Sequence, residues 1–248
     1  STSRRQRQMC IRDRQGGMVD TPDGDWYAFM FQDRGALGRA PVLMPMHFED
    51  GFPIIGENGK VPEVVTVLDT GYQYAAINGS DDFFYKPDEN GQITLKNFWE
   101  FNHQQMDDFW SVTENPGHLR LHSAKLSPTL FQAYNTLTQR TVGPKCAAEV
   151  TLRFAHMKNG DVAGISTFIG NYGFTGVKKE NDQFYLIMMG RPAKDTTVFG
   201  QFEYENPGIE YQRVPIIDTS VCLRAEADFT DKKDLCLLYT SPSPRDCS

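Results

Sequence analysis

The amino-acid sequence predicts an all-β protein, and two observations carry this prediction. Aromatic residues make up 12% of the 248 residues, while long stretches with helical periodicity are scarce. Short apolar segments recur at near-regular spacing and are separated by turns rich in Gly, Asn and Pro. The length allows two domains, and we expect a small β unit first and a larger one after it.

The first predicted unit, residues 15–56, has the rhythm of four short antiparallel strands. Pro22-Asp23-Gly24-Asp25 is typical of a tight turn, with glycine where a positive φ is required. A unit of four strands cannot bury its apolar positions alone, so we interpret it as one blade of a β-propeller, which needs several blades around an axis. The strands are expected at 16–20, 26–32, 40–45 and 47–48, the last running into the Asp50-Gly51 turn.

Residues 57–77 are predicted to be a linker, because Gly and Pro interrupt a short apolar run there. Residues 78–234 are predicted to form a β-sandwich or barrel, most of all a concanavalin-like jelly roll. Glycines inside 172–176 indicate a bulge or a close backbone approach. A helix is compatible only with 126–136, where Pro128 permits only its start. The strands are expected at 83–85, 119–122, 146–154, 161–168, 172–178, 183–189 and 197–204, with a turn at 190–192.

The two ends differ from the rest of the chain. Residues 1–14 carry five Arg and one Asp without a hydrophobic segment, which excludes a secretory signal peptide. They resemble a sequencing adaptor translated in frame, and residues 235–248 resemble the opposite adaptor. The alternative is a basic tail that binds nucleic acid or membrane. We expect both ends to be foreign and the chain to be a fragment of a longer protein.

The charge and hydropathy of the chain restrict its partners. The formal net charge is −7, and residues 15–234 are more acidic still because the basic residues of 1–14 fall outside them. An acidic surface disfavours nucleic-acid phosphate and suits a neutral substrate such as a sugar. No apolar run approaches the roughly 18 residues of a membrane span. We therefore expect an oligosaccharide partner, with neither nucleic acid nor membrane.

Several separated motifs, in the right order, resemble glycoside hydrolase family 43, the β-xylosidase and α-L-arabinofuranosidase type. One set is similar to the last blade of the five-bladed propeller of these enzymes, and the other to their C-terminal concanavalin-like sandwich. The resemblance covers residues 15–234. The blade motifs are GGMVDTPDGDWY at 16–27, FQDRGALGR at 31–39 and EDGFP at 49–53; those of the sandwich are WEFNH at 99–103, WSVTENPGHLR at 110–120 and AYNTLTQR at 133–140.

The resemblance implies an exo-acting glycosidase that removes terminal xylose or arabinose from hemicellulose (xylan or arabinoxylan) with inversion. Such an enzyme uses an Asp base, a Glu acid and an auxiliary Asp, which the family takes from earlier blades. We therefore expect no catalytic residue in this chain and no activity from it alone. The alternative is a non-catalytic carbohydrate-binding sandwich, which the concanavalin-like fold by itself would allow.

Two arginines of the blade are candidate substrate-binding residues. A guanidinium can hold two sugar hydroxyls with its fixed fork of donors. The family places such an arginine in its last blade, and Arg34 is the residue that we match to it, with Arg39 second. The alternative for Arg34 is a salt bridge with Asp33 or Glu49. The family histidine linked to bound calcium corresponds here to Arg14, so calcium is possible in the full-length enzyme but is not carried over; we predict no cofactor and no metal site.

The sandwich offers further polar and aromatic candidates. Four polar residues next to strands could line the face that closes over the catalytic pocket in the family, although a purely structural hydrogen-bonding role is favoured: Asn102, His103, Gln139 and Arg140. Four aromatic residues could form a sugar-stacking platform, but burial in the core is favoured because such rings bury large areas: Trp99, Phe101, Phe109 and Trp110.

Overall fold

The computed structural model describes residues 16–33, 39–67, 70–134, 136–168, 172–191, 207–230 and 235–241. The chain divides into two compact units, Ser1–Tyr74 and Ala75–Ser248. All regular elements of the described residues are β-strands or short 310 turns. The prediction of an all-β protein is confirmed.

The first unit contains one four-stranded antiparallel sheet with the strand order β1-β2-β3-β4. A tight turn joins the first two strands, where Gly24 has a φ of 90° and its N–H donates to the carbonyl of Thr21 at 2.9 Å. Only glycine adopts such a φ without strain. The strands are β1 (Gly16–Asp20), β2 (Trp26–Asp33), β3 (Arg39–Glu49) and β4 (Phe52–Ile55).

The third and fourth strands differ from the prediction. β3 runs without interruption through the two segments that were predicted as separate strands, and β4 follows the Asp50-Gly51 turn. Both turn residues have a positive φ, which is typical of a two-residue hairpin. Pro45 does not break β3. Its carbonyl oxygen accepts a hydrogen bond from the N–H of Gly56, so it points towards β4. In an antiparallel strand the N–H and the carbonyl of one residue point to the same side, and the N–H that proline lacks would also have pointed towards β4. The missing donor therefore removes no bond to β2.

Both faces of this sheet carry apolar side chains. Ala28, Met44 and Met46 are buried on one face. Met18 on that face remains 56% exposed, and Phe29 on the opposite face is 50% exposed. Apolar residues on both faces are typical of a sheet that is covered from two sides. That this sheet is a propeller blade stays a prediction.

The first part of the second unit, 75–144, has little regular structure. Two pairs of two-residue strands occur, β5 with β8 and β6 with β7. A strand predicted at 83–85 is absent: Phe83 has a φ of 54°, and its N–H donates to the Asp81 carboxylate at 3.0 Å instead of to a neighbouring strand. The short elements are β5 (Glu100–Phe101), a 310 turn (Asp107–Phe109), β6 (Trp110–Ser111), β7 (Arg120–Leu121), a 310 turn (Leu130–Gln132) and β8 (Leu137–Thr138).

Two antiparallel sheets form the rest of the second unit, with the strand orders β10-β11-β12-β13 and β15-β14-β9. β12 includes Arg191, although 190–192 was predicted to be a turn. The predicted strand at 197–204 lies outside the described residues, and β15 lies in the segment 235–248, whose foreign origin stays a prediction. The strands are β9 (Lys145–Arg153), β10 (Val162–Phe168), β11 (Tyr172–Glu180), β12 (Gln183–Arg191), β13 (Ile209–Ile216), β14 (Ser220–Asp228) and β15 (Leu235–Ser241).

Both faces of the β10–β13 sheet are packed. A cluster around Val177 and Leu223, both fully buried, fills the space between the two sheets. Side chains alternate along a strand, so Tyr172 and Phe174 of β11 point to the opposite face, where the segment around Phe131 packs against them. We call this opposite face the outer face. Burial of each large apolar side chain contributes about 1.5–3 kcal/mol.

Gly176 of β11 lies directly opposite Gly164 of β10, beside the ring of Phe174. A Cβ on Gly176 would lie 2.6 Å from Cζ of Phe174 and 2.8 Å from Cα of Gly164. The register of β10 with β11 contains no bulge at this point. Of the two predicted roles of the glycines in 172–176, the structure thus shows the close approach.

Candidate functional site

Of the two candidate sugar-binding arginines, Arg34 lies outside the described residues and Arg39 is the first residue of β3. The Arg39 side chain is exposed, and Cζ lies 4.6 Å from the centroid of the Phe31 ring. An arginine stacked on a ring face holds its guanidinium plane fixed while its edge can still donate hydrogen bonds. That Arg39 binds a sugar stays a prediction.

A shallow depression of about 340 Å³ opens elsewhere on the first unit, at the other end of β3. Next to it, Nε2 of His47 pairs with Oε1 of Glu49 at 3.1 Å, on the exposed surface. Glu49, the alternative partner for Arg34, thus has His47 as a hydrogen-bond partner. The sequence analysis missed this depression because its two walls are 11 residues apart; they consist of Pro45, Met46 and His47 on one side and Gly56, Glu57 and Asn58 on the other.

Asn102 and His103 follow β5 and contact the segment before β8. The N–H of Asn102 donates to the carbonyl of Thr136 at 3.0 Å, which continues the short ladder by one bond. Nε2 of His103 is hydrogen-bonded to the carbonyl of Phe131, and the imidazole packs edge-on against the Tyr134 ring at 5.6 Å. His103 remains exposed. These contacts attach the Phe131 segment to β5.

Gln139 and Arg140 follow β8 and bind the start of the second unit. The Gln139 side chain makes two hydrogen bonds of 2.9 Å to Gly79, one to its N–H and one to its carbonyl. Arg140 pairs with Glu100 at 3.4 Å, and both side chains are more than half exposed. An exposed pair of this kind contributes little to stability. Gln139 therefore acts as a structural clamp on the Gly79 peptide groups.

The structure does not bring these four polar residues together. Glu100 pairs with Thr138 and Phe101 with Leu137, so Asn102 and His103 lie at one end of the ladder and Gln139 and Arg140 at the other. Each pair contacts a different neighbouring segment. That these residues face a catalytic pocket stays a prediction.

Asp81 is a buried centre of hydrogen bonds that the sequence analysis missed. Its carboxylate is 0% exposed and accepts hydrogen bonds from Trp99 Nε1 at 2.8 Å, from the N–H of Phe83 and from the hydroxyl of Tyr85. The ammonium of Lys96 lies 3.1 Å from the same carboxylate. An ionised carboxylate has about four acceptor sites, and four donor groups surround that of Asp81.

The donors around Asp81 determine its protonation. Burial acts to raise the pKa of Asp81, but the hydrogen bonds from Tyr85, Phe83, Trp99 and Lys96 outweigh it and hold that pKa below its ordinary value. Burial and the hydrogen bond to Asp81 raise the pKa of Tyr85 to about 12. The pair thus remains an ionised carboxylate and a neutral phenol at neutral pH, which is an arrangement for stability rather than for proton transfer.

The four aromatic candidates are all half-buried, and Trp99 belongs to the Asp81 centre. Trp99 stacks on Phe83 with 5.8 Å between ring centroids, and Phe101 packs against Trp110 at 5.7 Å. Nε1 of Trp110 donates to Asp107 at 3.2 Å. The ring faces of Trp99 and Phe101 are in contact with other rings, which favours the core role over a sugar platform.

A comparison with models of known protein families shows which family the chain belongs to. Residues 88–237 match the family model described as the beta xylosidase C-terminal concanavalin A-like domain, which is more than half of the chain. The chain belongs to this GH43 family. The resemblance to glycoside hydrolase family 43 and the concanavalin-like part of the fold are confirmed for the GH43 chain.

Individual relatives agree with this family. A beta-xylosidase from Formosa agariphila is 30% identical over 212 residues, which cover 71% of the GH43 chain and 34% of that enzyme. A non-reducing-end α-L-arabinofuranosidase from Bacteroides ovatus is 27% identical over 156 residues, which cover 60% of the GH43 chain and 28% of that enzyme. The solved structure of a bifunctional GH43-CE protein from Bacteroides eggerthii superposes with a TM-score of 0.75 at 37% identity, covering 92% of the GH43 chain and 28% of that chain. The GH43 chain spans about a third of the length of the curated relatives it matches first.

That the first unit holds no catalytic carboxylate stays a prediction. Five carboxylates of this unit are exposed, on strand ends and turns: Asp20, Asp23, Asp25, Glu49 and Asp50. No cluster of three His, Cys, Asp or Glu that could hold a metal occurs in the described part of the GH43 chain. Within those same ranges no helix is long and apolar enough to cross a membrane.

Proposed function

We propose that the GH43 chain is part of an exo-acting glycoside hydrolase that removes terminal xylose or arabinose from hemicellulose oligosaccharides. The observation that carries this proposal is the match of residues 88–237 to a domain of beta xylosidases. The names of the relatives, a beta-xylosidase and an α-L-arabinofuranosidase, support the same two sugars. The choice between them belongs to residues of the catalytic pocket.

We further propose an inverting mechanism whose acid and base lie in other parts of the enzyme. Inversion needs two carboxyl groups about 6.5–9.5 Å apart, with room for water and with the acid held in a site that raises its pKa. The exposed carboxylates of the first unit lack such a site, because water solvates each of them. The chain alone is therefore expected to be inactive, and Arg34 or Arg39 would contribute only sugar contacts.

The second unit is proposed to be an accessory domain rather than an independent binding module. Concanavalin-like modules that bind sugar need an accessible surface with aromatic or polar groups. On the outer face, Tyr172 and Phe174 are each only 7% exposed, because Leu130 and Phe131 pack over them. A covered face of this kind supports a role in packing.

The proposal is tested by assaying the 248-residue chain and the complete protein encoded at its source locus on p-nitrophenyl β-D-xylopyranoside and p-nitrophenyl α-L-arabinofuranoside. We expect no hydrolysis by the chain, hydrolysis of at least one substrate by the complete protein, and an inverted first product by NMR. Activity of the chain alone would contradict the absence of its acid and base. If the complete protein cleaves neither substrate, the glycosidase proposal is wrong.

A second measurement separates the accessory domain from a binding module. Xylo-oligosaccharides are titrated into the chain while tryptophan fluorescence is recorded. An accessory domain leaves the fluorescence unchanged at millimolar sugar. A saturable change would instead support the non-catalytic carbohydrate-binding function.

A further inference from the structure

Four asparagines of the chain are directly followed by glycine, at 58–59, 78–79, 90–91 and 159–160. An asparagine in this context can lose its side-chain amide, because a residue without a Cβ lets its backbone nitrogen reach the side-chain carbonyl carbon of the asparagine. That nitrogen must give up its proton before it attacks. A glycine N–H that is held in a hydrogen bond therefore resists the reaction.

Three of the four glycines donate their N–H to an acceptor elsewhere in the chain. The acceptors are Oε1 of Gln139 for Gly79 at 2.9 Å, the carbonyl of Asp88 for Gly91 at 3.0 Å, and the carbonyl of Lys179 for Gly160 at 2.8 Å. The side-chain amide of Asn159 is also held at both ends by Asp182, at 3.1 Å and 2.8 Å. Each bond that must break first lowers the rate of attack by about 2–10-fold.

The pair Asn58-Gly59 has no such protection. Both residues are exposed, and within the described ranges neither the N–H of Gly59 nor the side chain of Asn58 has a hydrogen-bond partner. They are the central residues of a tight turn, with φ values of 51° and 73°. Only the two backbone hydrogen bonds between Glu57 and Lys60 close this turn, at 3.0 Å and 2.9 Å. They lie on the exposed surface, where local opening costs little.

We propose that Asn58 is a site of spontaneous deamidation and that it reacts before the other three asparagines in the folded chain. The backbone nitrogen of Gly59 loses its proton to the solvent and attacks Cγ of Asn58. The bond between Cγ and the side-chain nitrogen breaks, and ammonia leaves with a proton from the solvent. Water then opens the cyclic imide at either carbonyl, which gives aspartate or isoaspartate. Water is the only co-reactant, so this inference is independent of the proposed glycosidase.

The product brings a new carboxylate to the depression on the first unit. Asn58 lines this depression beside Glu57, and His47 stands on the opposite wall. Deamidation thus makes one wall more acidic and adds a negative charge to a chain that is already acidic. The isoaspartate form also lengthens the main chain within the turn by one carbon, which disturbs the pairing of Glu57 with Lys60.

The test is peptide mapping by mass spectrometry of the full chain after incubation in mildly alkaline buffer. We expect Asn58 to convert about 2–10-fold faster than Asn90, whose glycine makes one hydrogen bond, and Asn159 to be the slowest of the four. A mildly acidic buffer should slow the conversion of Asn58, because the glycine nitrogen must lose its proton. No conversion of Asn58, or conversion of any other of the four at an equal or higher rate, overturns the proposal.

Two controls separate the effect of the fold from that of the local sequence. In concentrated urea the protecting hydrogen bonds are lost, so the four rates should converge. If Asn58 keeps its lead in urea, its neighbours in sequence select it and the structural argument is wrong. Gln139→Ala frees the N–H of Gly79 and should accelerate conversion of Asn78, with an unchanged rate at Asn159 showing that the chain remains folded. An unchanged rate at Asn78 would overturn the protective role of the glycine N–H.

Discussion

Replacement of Asp81 by alanine removes the acceptor on which three donors and one ammonium group converge. The N–H of Phe83, Nε1 of Trp99 and the hydroxyl of Tyr85 would lose their common partner, and all three groups lie close to a carboxylate that is 0% exposed. Lys96 is 44% exposed, so its ammonium can turn to water. The loss therefore falls mainly on the three donors.

The expected cost follows from these contacts. Removal of one partner from a buried charged network costs about 3–5 kcal/mol, and an unsatisfied buried donor costs about 1–3 kcal/mol. We expect Asp81→Ala to lower the free energy of unfolding by about 3–5 kcal/mol, which corresponds to a fall in Tm of roughly 6–20 °C. Asp81→Asn should cost less, since its amide keeps one of the two acceptor oxygens.

Urea denaturation and thermal melting of the two proteins provide the measurement. Asp82→Ala is the matched control, because Asp82 is the exposed neighbour and accepts a backbone hydrogen bond of 3.3 Å from Phe84. Its free energy of unfolding should stay within about 0.5 kcal/mol of the parent chain. If Asp81→Ala is no more destabilising than this control, the role assigned to the hydrogen-bonded centre is refuted.

The pH dependence gives an independent check on Asp81. Its folded-state pKa is lower than the ordinary value of 3.8, so the unfolded chain binds more protons in the interval between the two. The contribution of Asp81 is complete above pH 3.8 and is lost as the pH falls through the folded-state pKa. The difference in stability between the parent chain and Asp81→Asn should therefore be larger at pH 7 than at pH 2.

Three other substitutions have defined outcomes. Tyr85→Phe should remove one phenol transition near pH 12 from an ultraviolet titration, because burial and Asp81 raise the pKa of Tyr85 to about 12; an unchanged curve above pH 11 would contradict this. Gly176→Ala should cost about 1–3 kcal/mol in urea denaturation, since its Cβ would lie 2.2 Å from the carbonyl oxygen of Ala163 and 2.6 Å from Phe174 Cζ. Nothing lies within 4 Å of a Cβ on Gly17, so Gly17→Ala is the control. Gln139→Ala should cost about 0.5–1.5 kcal/mol, because both of its hydrogen bonds go to the exposed Gly79 peptide groups; equal stability would refute the clamp.

The strands bounded by turns rich in Gly, Asn and Pro were predictable from the sequence, while their ends were not. β1 begins and ends where the pattern indicated, and β9, β10 and β11 differ from the expectation by only a few residues. β4 was missed because its four residues follow a hairpin turn and show no period of their own. No strand forms at 83–85 because the N–H of Phe83 donates to the Asp81 carboxylate and is not available to pair with a neighbouring strand.

The candidate site was less predictable, because its groups come together only in the folded chain. Asp81 lies in a polar stretch, and its partner Trp99 is 18 residues away. Arg191, which is only 8% exposed, stands between Gly190 and Pro192, a context typical of a turn, and no local pattern indicates that Phe131 covers it. An arginine at the end of a strongly apolar strand was the signal that could have indicated a buried cation.

The scarcity of strands in 75–144 affects how the second unit comes apart. Its order depends on side chains such as Asp81 and Gln139 that hold backbone groups, and its four strands have two residues each. The sandwich strands instead protect one another through long ladders. In acid, where Asp81 becomes protonated, we expect amide hydrogens of 75–144 to exchange with solvent as a group while those of β11, β12 and β14 remain protected. The second unit would then unfold in two steps, first residues 75–144 and then the two sheets of the sandwich.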